Sequence, residues 1–82
     1  MNVTVKLFGA QAQLVGRREV VVLLDETDAT CAALRRGLAA AEPQLESSLT
    51  VSRFAINHEF ADDQQSLSAE DEVALIGMIS GG

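Results

Sequence analysis

The arrangement in this chain with the clearest chemical use is "ALIGMISGG", in which Gly81 and Gly82 follow an apolar run after a short connection. A glycine carboxylate is the least hindered acyl group a polypeptide presents, and a glycine pair without Cβ atoms can thread a narrow channel. The carboxylate itself is a poor electrophile. Adenylation by ATP makes it a mixed anhydride with a good leaving group, dividing one difficult step into two easier ones. A sulfur nucleophile then leaves a thiocarboxylate, whereas an amine leaves an amide conjugate. Two glycines at a chosen end arise by chance in about one chain in two hundred at ordinary glycine usage. The pair gains weight from its position, because residues 77–82 would form a projecting tail with a reach of up to about 20 Å.

Other reactive residues offer less. Cys31 is the single cysteine, which excludes an internal disulfide and a cysteine-rich metal site. At a helix start its thiol is open to a lowered pKa, or it serves as a small buried apolar group. His58 has no Ser, Cys or second His placed beside it by any motif and reads as a solvated hairpin residue. The acidic groups Asp25, Glu26, Asp28, Asp62, Asp63, Glu70, Asp71 and Glu72 match no calcium-loop spacing, so no metal site is expected. They read as solvated surface that steers a basic protein partner. A phosphate loop, a nucleophile elbow and paired catalytic carboxylates are all missing, so the chain is expected to catalyse nothing by itself.

The elements that must hold such a tail can be read from pattern. In "VTVKLF", Val3, Val5 and Leu7 point one way and Thr4, Lys6 and Phe8 the other, the period of a strand with one wet face. "GAQAQLVG" reads as a polar connection with Leu14 tucked under. "REVVVLL", Arg18 to Leu24, reads as a second strand, apolar on both faces and antiparallel to the first. Thr30 is placed to cap a helix from Cys31 to Ala41 whose stripe is Cys31, Leu34, Leu38 and Ala41. Gly37 inside it costs about 1 kcal/mol relative to Ala unless close packing offsets the loss. Pro43 marks the helix end. Leu45 and Leu49 suggest a short turn over the core. "RFAIN", a turn at Asn57 and His58, and "EF" give a third and a short fourth strand, and Leu67 anchors the following loop. "EVALI" closes the set, with Val73 and Leu75 alternating against Glu72, Ala74 and Ile76.

This order, ββαβββ, predicts an α+β fold: a mixed sheet of four to five strands with one main helix across a face, the β-grasp or ubiquitin-like architecture. Fold analogy places the first and last strands side by side at its centre. Residues 1–76 would form the domain and 77–82 the tail. At 82 residues the chain suffices for one core. Its formal charge of -6 makes nucleic acid and membrane poor partners. With no signal peptide or long apolar span, the cytoplasm is the expected location.

Several stretches together carry a resemblance. "VKLFG", "TCAALRRGL", "FAINHEF" followed by "LSAEDEVALI", and the final "SGG" resemble the MoaD-type small subunit of molybdopterin synthase over essentially the whole chain. The length suits that family better than the shorter thiazole sulfur carriers of the ThiS type. The resemblance implies a sulfur carrier that is adenylated at Gly82 by a MoeB-type activating enzyme using ATP and converted to a thiocarboxylate. It would then donate sulfur, docked in a MoaE-type large subunit, to cyclic pyranopterin monophosphate. No cofactor would be bound, a sulfurtransferase would supply sulfur, and two small with two large chains would form a heterotetramer. Alone, a monomer or weak dimer is expected. Met78, Ile79 and Ser80 beside Gly81 and Gly82 are candidate partner contacts, as are Phe8 and Phe60, which suit core positions equally. The family commonly has two prolines where Gly77 and Met78 stand, and a turn glycine where Glu70 stands, so this tail has a larger ordering cost on docking. A carrier for thiazole or cysteine biosynthesis and a ubiquitin-like modifier of target lysines remain the alternatives.

Overall fold

The computed structural model describes residues 1–77. It contains β1 (Asn2–Lys6), α1 (Gly9–Val15), β2 (Glu19–Leu23), α2 (Cys31–Ala41), α3 (Glu46–Leu49), β3 (Ser52–Ile56), β4 (Glu59–Ala61) and β5 (Val73–Gly77). The strands form one sheet in the order β2-β1-β5-β3-β4. β1 runs antiparallel to β2 and parallel to β5, so the first and last strands are neighbours at the centre as the fold analogy required.

Period-two alternation decides which face is covered. Val3, Val5 and Leu7, Val20 and Val22, Phe54 and Ile56, and Val73 and Leu75 are buried against Cys31, Leu34, Leu38, Leu45 and Leu49. The intervening residues form an open face without helices. Val21 and Leu23 belong to that face, so the second strand, apolar on both sides in sequence, is buried on one side only.

α2 matches its expected span. The Thr30 hydroxyl accepts the Ala33 amide at 3.2 Å, while the Cys31 and Ala32 amides donate to the carbonyls of Gln65 and Asp63. The loop after β4 thus completes the cap, and Leu67 anchors it as a buried residue. Gly37 meets the sheet closely: a Cβ there would lie 2.6 Å from Val22 Cγ1, so packing explains the glycine. Arg35 ties the layers together, donating to the carbonyls of Leu49 and Ser52 with its guanidinium 5.2 Å from the Phe54 ring centroid. Ala41 departs from the predicted stripe. It stands exposed on the last turn, and Ala33 takes a buried place beside Leu34.

The larger correction is α1. "GAQAQLV" is a helix, closed by Gly16 at φ 81, whose amide donates to the Ala12 carbonyl at 2.8 Å. Leu14 is exposed, and Gln11 is the residue that turns inward. The element order thereby gains a helix between the first two strands. Gln11 is held by a polar partner, since its Nε2 donates to Ser52 Oγ at 2.8 Å, and that hydroxyl donates to the Ser48 carbonyl at 2.7 Å.

Candidate functional site

Centrality of β5 fixes where the candidate tail begins. β5 is hydrogen-bonded to β1 on one side and to β3 on the other, so its last residue is held in place. That residue is Gly77, which pairs with Ser52 and extends the sheet one position beyond the expected domain edge at 76. The Gln11 side chain lies beneath it, 3.8 Å from where a Cβ would be. The buried Gln11–Ser52–Ser48 chain therefore forms a rigid polar floor under the exit. Met78, Ile79, Ser80, Gly81 and Gly82 lie outside the described residues.

Two apolar grooves meet beside Gly77. One, of about 370 Å³, runs between α1 and the end of β5 and is lined by Phe8, Gln11, Val51, Ser52, Ile76 and Gly77. The other, of about 400 Å³, lies on the open face between Phe8, Ala55, Phe60, Ala74 and Ile76, with Lys6, His58 and Glu72 along its rim. Phe8 and Ile76 belong to both.

Phe8 and Phe60 are 55% and 53% exposed, which excludes core roles for both. The cause is register. Phe8 continues the wet side of the first strand after Thr4 and Lys6, and Phe60 pairs with Ala55 on the open side of β3. Arg53, also on that side, holds its guanidinium 4.8 Å from the Phe60 ring centroid, which fixes the ring without covering it. The structure thus brings both phenylalanines to one groove. Val51, Ile76 and Gln11 join them without having been singled out from sequence, although the alternation in "EVALI" had already put Ile76 on the outer side.

Charges frame the groove at one end. The Lys6 ammonium and the His58 imidazole lie 3.5 and 3.6 Å from the same Glu72 oxygen. Both contacts are exposed and contribute little to stability. The β3–β4 turn beneath them is well held: Asn57 and His58 adopt φ 52 and 71, as a two-residue hairpin loop requires. Asn57 Nδ2 donates to Asp71 Oδ1 at 3.0 Å, and Asn57 Oδ1 accepts the Glu72 amide at 2.9 Å. The Ser68 amide and Asn57 hold the Asp71 carboxyl below its ordinary pKa of 3.8.

Cys31 is fully buried, and burial pushes its thiol pKa up, with the Asp63 charge adding to the effect. It acts as an apolar member of the core, not as a nucleophile. Among the described residues, no cluster of His, Cys, Asp or Glu is arranged to hold a metal ion, and no helix is long and apolar enough to cross a membrane.

Comparison with known proteins decides what kind of molecule carries this exit. The model of the ThiS family matches residues 5–82. The chain belongs to the ThiS family. Within that family's wider ThiS/MoaD group, it is 32% identical over 78 residues to the molybdopterin synthase sulfur carrier subunit of Dictyostelium discoideum, covering 93% of this chain and 91% of the relative. The crystal structure of SAMP1 from Haloferax volcanii superposes with a TM-score of 0.84 and 33% identity over the full length of both chains. A protein–protein complex of subunits 1 and 2 of the molybdopterin-converting factor from Helicobacter pylori contains a chain with the same fold, at a TM-score of 0.68 and 22% identity over the full length of both chains. The β-grasp fold expected from the element order is thereby that of the family.

Proposed function

We propose that the chain is a sulfur carrier and the small, non-catalytic subunit of a molybdopterin synthase. The observation that carries this reading is the exit of β5: the innermost strand ends at Gly77 beside an exposed apolar groove, five residues (82 − 77) before Gly82. Five residues reach at most about 17 Å when extended, enough to deliver an acyl group into a second protein while the groove is covered. The whole-length likeness to the Dictyostelium discoideum sulfur carrier subunit supports the same assignment.

The chemistry belongs to Gly82. In a MoeB-type activating enzyme its carboxylate attacks the α-phosphorus of ATP and pyrophosphate leaves. A sulfide-level nucleophile supplied by a sulfurtransferase then attacks the acyl carbon, and AMP departs with the former carboxylate oxygen. The thiocarboxylate donates its sulfur to cyclic pyranopterin monophosphate in a MoaE-type large subunit, regenerating the Gly82 carboxylate. Gly81 gives clearance at the reacting carbon, and Met78, Ile79, Ser80, Phe8 and Phe60 contact the partner. Two small and two large chains form the cytoplasmic heterotetramer.

Adding one residue after Gly82, or deleting Gly82, abolishes sulfur transfer and leaves thermal stability nearly unchanged, because the change lies outside the core. Retained transfer by the extended chain would refute the assignment. Product formed with a MoaE-type subunit and cyclic pyranopterin monophosphate distinguishes this pathway from thiazole or cysteine biosynthesis.

A second reading rests on the full-length match to SAMP1, a small archaeal modifier protein. Here the activated Gly82 would be attacked by a target lysine, with AMP leaving and an amide forming. Lys6 is the single lysine of this chain, so polymeric chains would grow only there or at the amino terminus. Tagged protein recovered from its host would carry high-mass conjugates with a Gly-Gly remnant on other proteins; their absence argues for the carrier alone.

A further inference from the structure

The two outer strands of the sheet are protected very differently. Edge strands expose unpaired backbone groups, and natural proteins blunt them by short length, lysine, proline or a bulge. β4 has three residues and runs directly into Asp62 and Asp63. β2 has five, "EVVVL", with no lysine or proline, and its register against β1 is unbroken.

Hydrogen-bond parity tells which groups face outward. The Leu7 amide donates to the Arg18 carbonyl and the Leu24 amide to the Met1 carbonyl, both at 2.8 Å. In the antiparallel register that contains these pairs, Val20 and Val22 also turn their backbone groups toward β1. Glu19, Val21 and Leu23 turn theirs away from it, at an edge to which no other strand is paired among the described residues. The same three residues carry their side chains on the open face, where Val21 is 57% and Leu23 76% exposed.

We propose that this edge pairs with the same edge of a second copy of the chain, antiparallel about a two-fold axis at Val21. The register then places Glu19 opposite Leu23 of the second copy and Val21 opposite itself, and each exchanges both backbone groups. The one charged pair brought face to face is Arg17 with Asp25, because 17 + 25 equals 21 + 21; it has opposite signs, occurs on both sides of the axis, and involves exposed residues. This complementarity favours a second copy over an unrelated strand. The pairing stands independently of the carrier reading, since β2 is separated from β5 by β1.

Sedimentation of the full chain over a concentration series tests it. The unmodified chain is expected to form a weak, reversible dimer. Val21→Lys and Val21→Glu, each on an exposed side chain and checked for folding by circular dichroism, are expected to weaken it at least about tenfold, because like charges then stand opposite each other. An equimolar mixture of the two restores dimer, since each lysine now faces a glutamate. A chain that stays monomeric at every accessible concentration overturns the proposal. So does a dimer untouched by both substitutions, or one that the mixture fails to restore.

Discussion

The two faces of this sheet are built from alternate residues of the same strands, yet they have opposite composition and serve opposite ends. Toward the helices, Val5, Phe54 and Leu75 are wholly buried. One residue further along, Lys6, Ala55 and Ile76 line an open groove with Phe8 and Phe60. Apolar surface therefore lies on both sides, covered within the chain on one and left for another molecule on the other. Hydrophobicity alone does not identify a core; register does. Exposed phenylalanines gathered in one groove beside the strand exit are the form an interaction surface takes.

The sharpest test of this contrast compares two phenylalanines. Phe54→Ala is expected to cost about 3–5 kcal/mol in chemical denaturation, since it leaves a cavity under Arg35. Phe60→Ala is expected to change stability by less than about 1 kcal/mol and to weaken binding of the large subunit in titration calorimetry. Equal stability losses would erase the distinction between the faces.

Gly37→Ala is expected to cost about 1–3 kcal/mol because the new methyl group meets Val22, although alanine is the better helix former. A neutral or stabilising result would show that α2 does not press on the sheet as described. Gln11→Ala breaks the bond to Ser52 and is expected to cost about 1–3 kcal/mol. Its effect on partner binding should exceed that of Leu14→Ala, which alters an exposed side chain of the same helix.

The smallest effect is a pH dependence. Asp71 has a folded pKa below its ordinary 3.8, so its contribution to stability is present above that value and is lost as pH falls through the lowered one. Asp71→Asn should flatten this acid limb of the thermal unfolding midpoint and leave the neutral-pH groove unchanged.

Much of the covered face was legible in sequence because its signals are local. The alternation of Val3, Val5 and Leu7 and the Thr30 cap are decided within a few residues of themselves. α1 was not legible, because its seven residues are polar or small and its buried member, Gln11, finds its partner Ser52 in a distant strand. Phe8 is the instructive case. Its parity with Thr4 and Lys6 placed it on the wet side, while its side chain suited a core equally well, and parity prevailed. Phe60 had no comparable signal, since its face follows from pairing with Ala55 across the Asn57–His58 turn. The glycine pair was visible in sequence as chemistry; the groove beside its exit required the assembled sheet.

Incubation with a MoeB-type activating enzyme, ATP and a sulfur source, followed by intact-mass measurement, examines Gly82 itself. The carrier account predicts a mass gain equal to replacement of one oxygen by sulfur, localised to the C-terminal peptide. An unchanged mass, in an assay where a known carrier of the same family shifts, would contradict it.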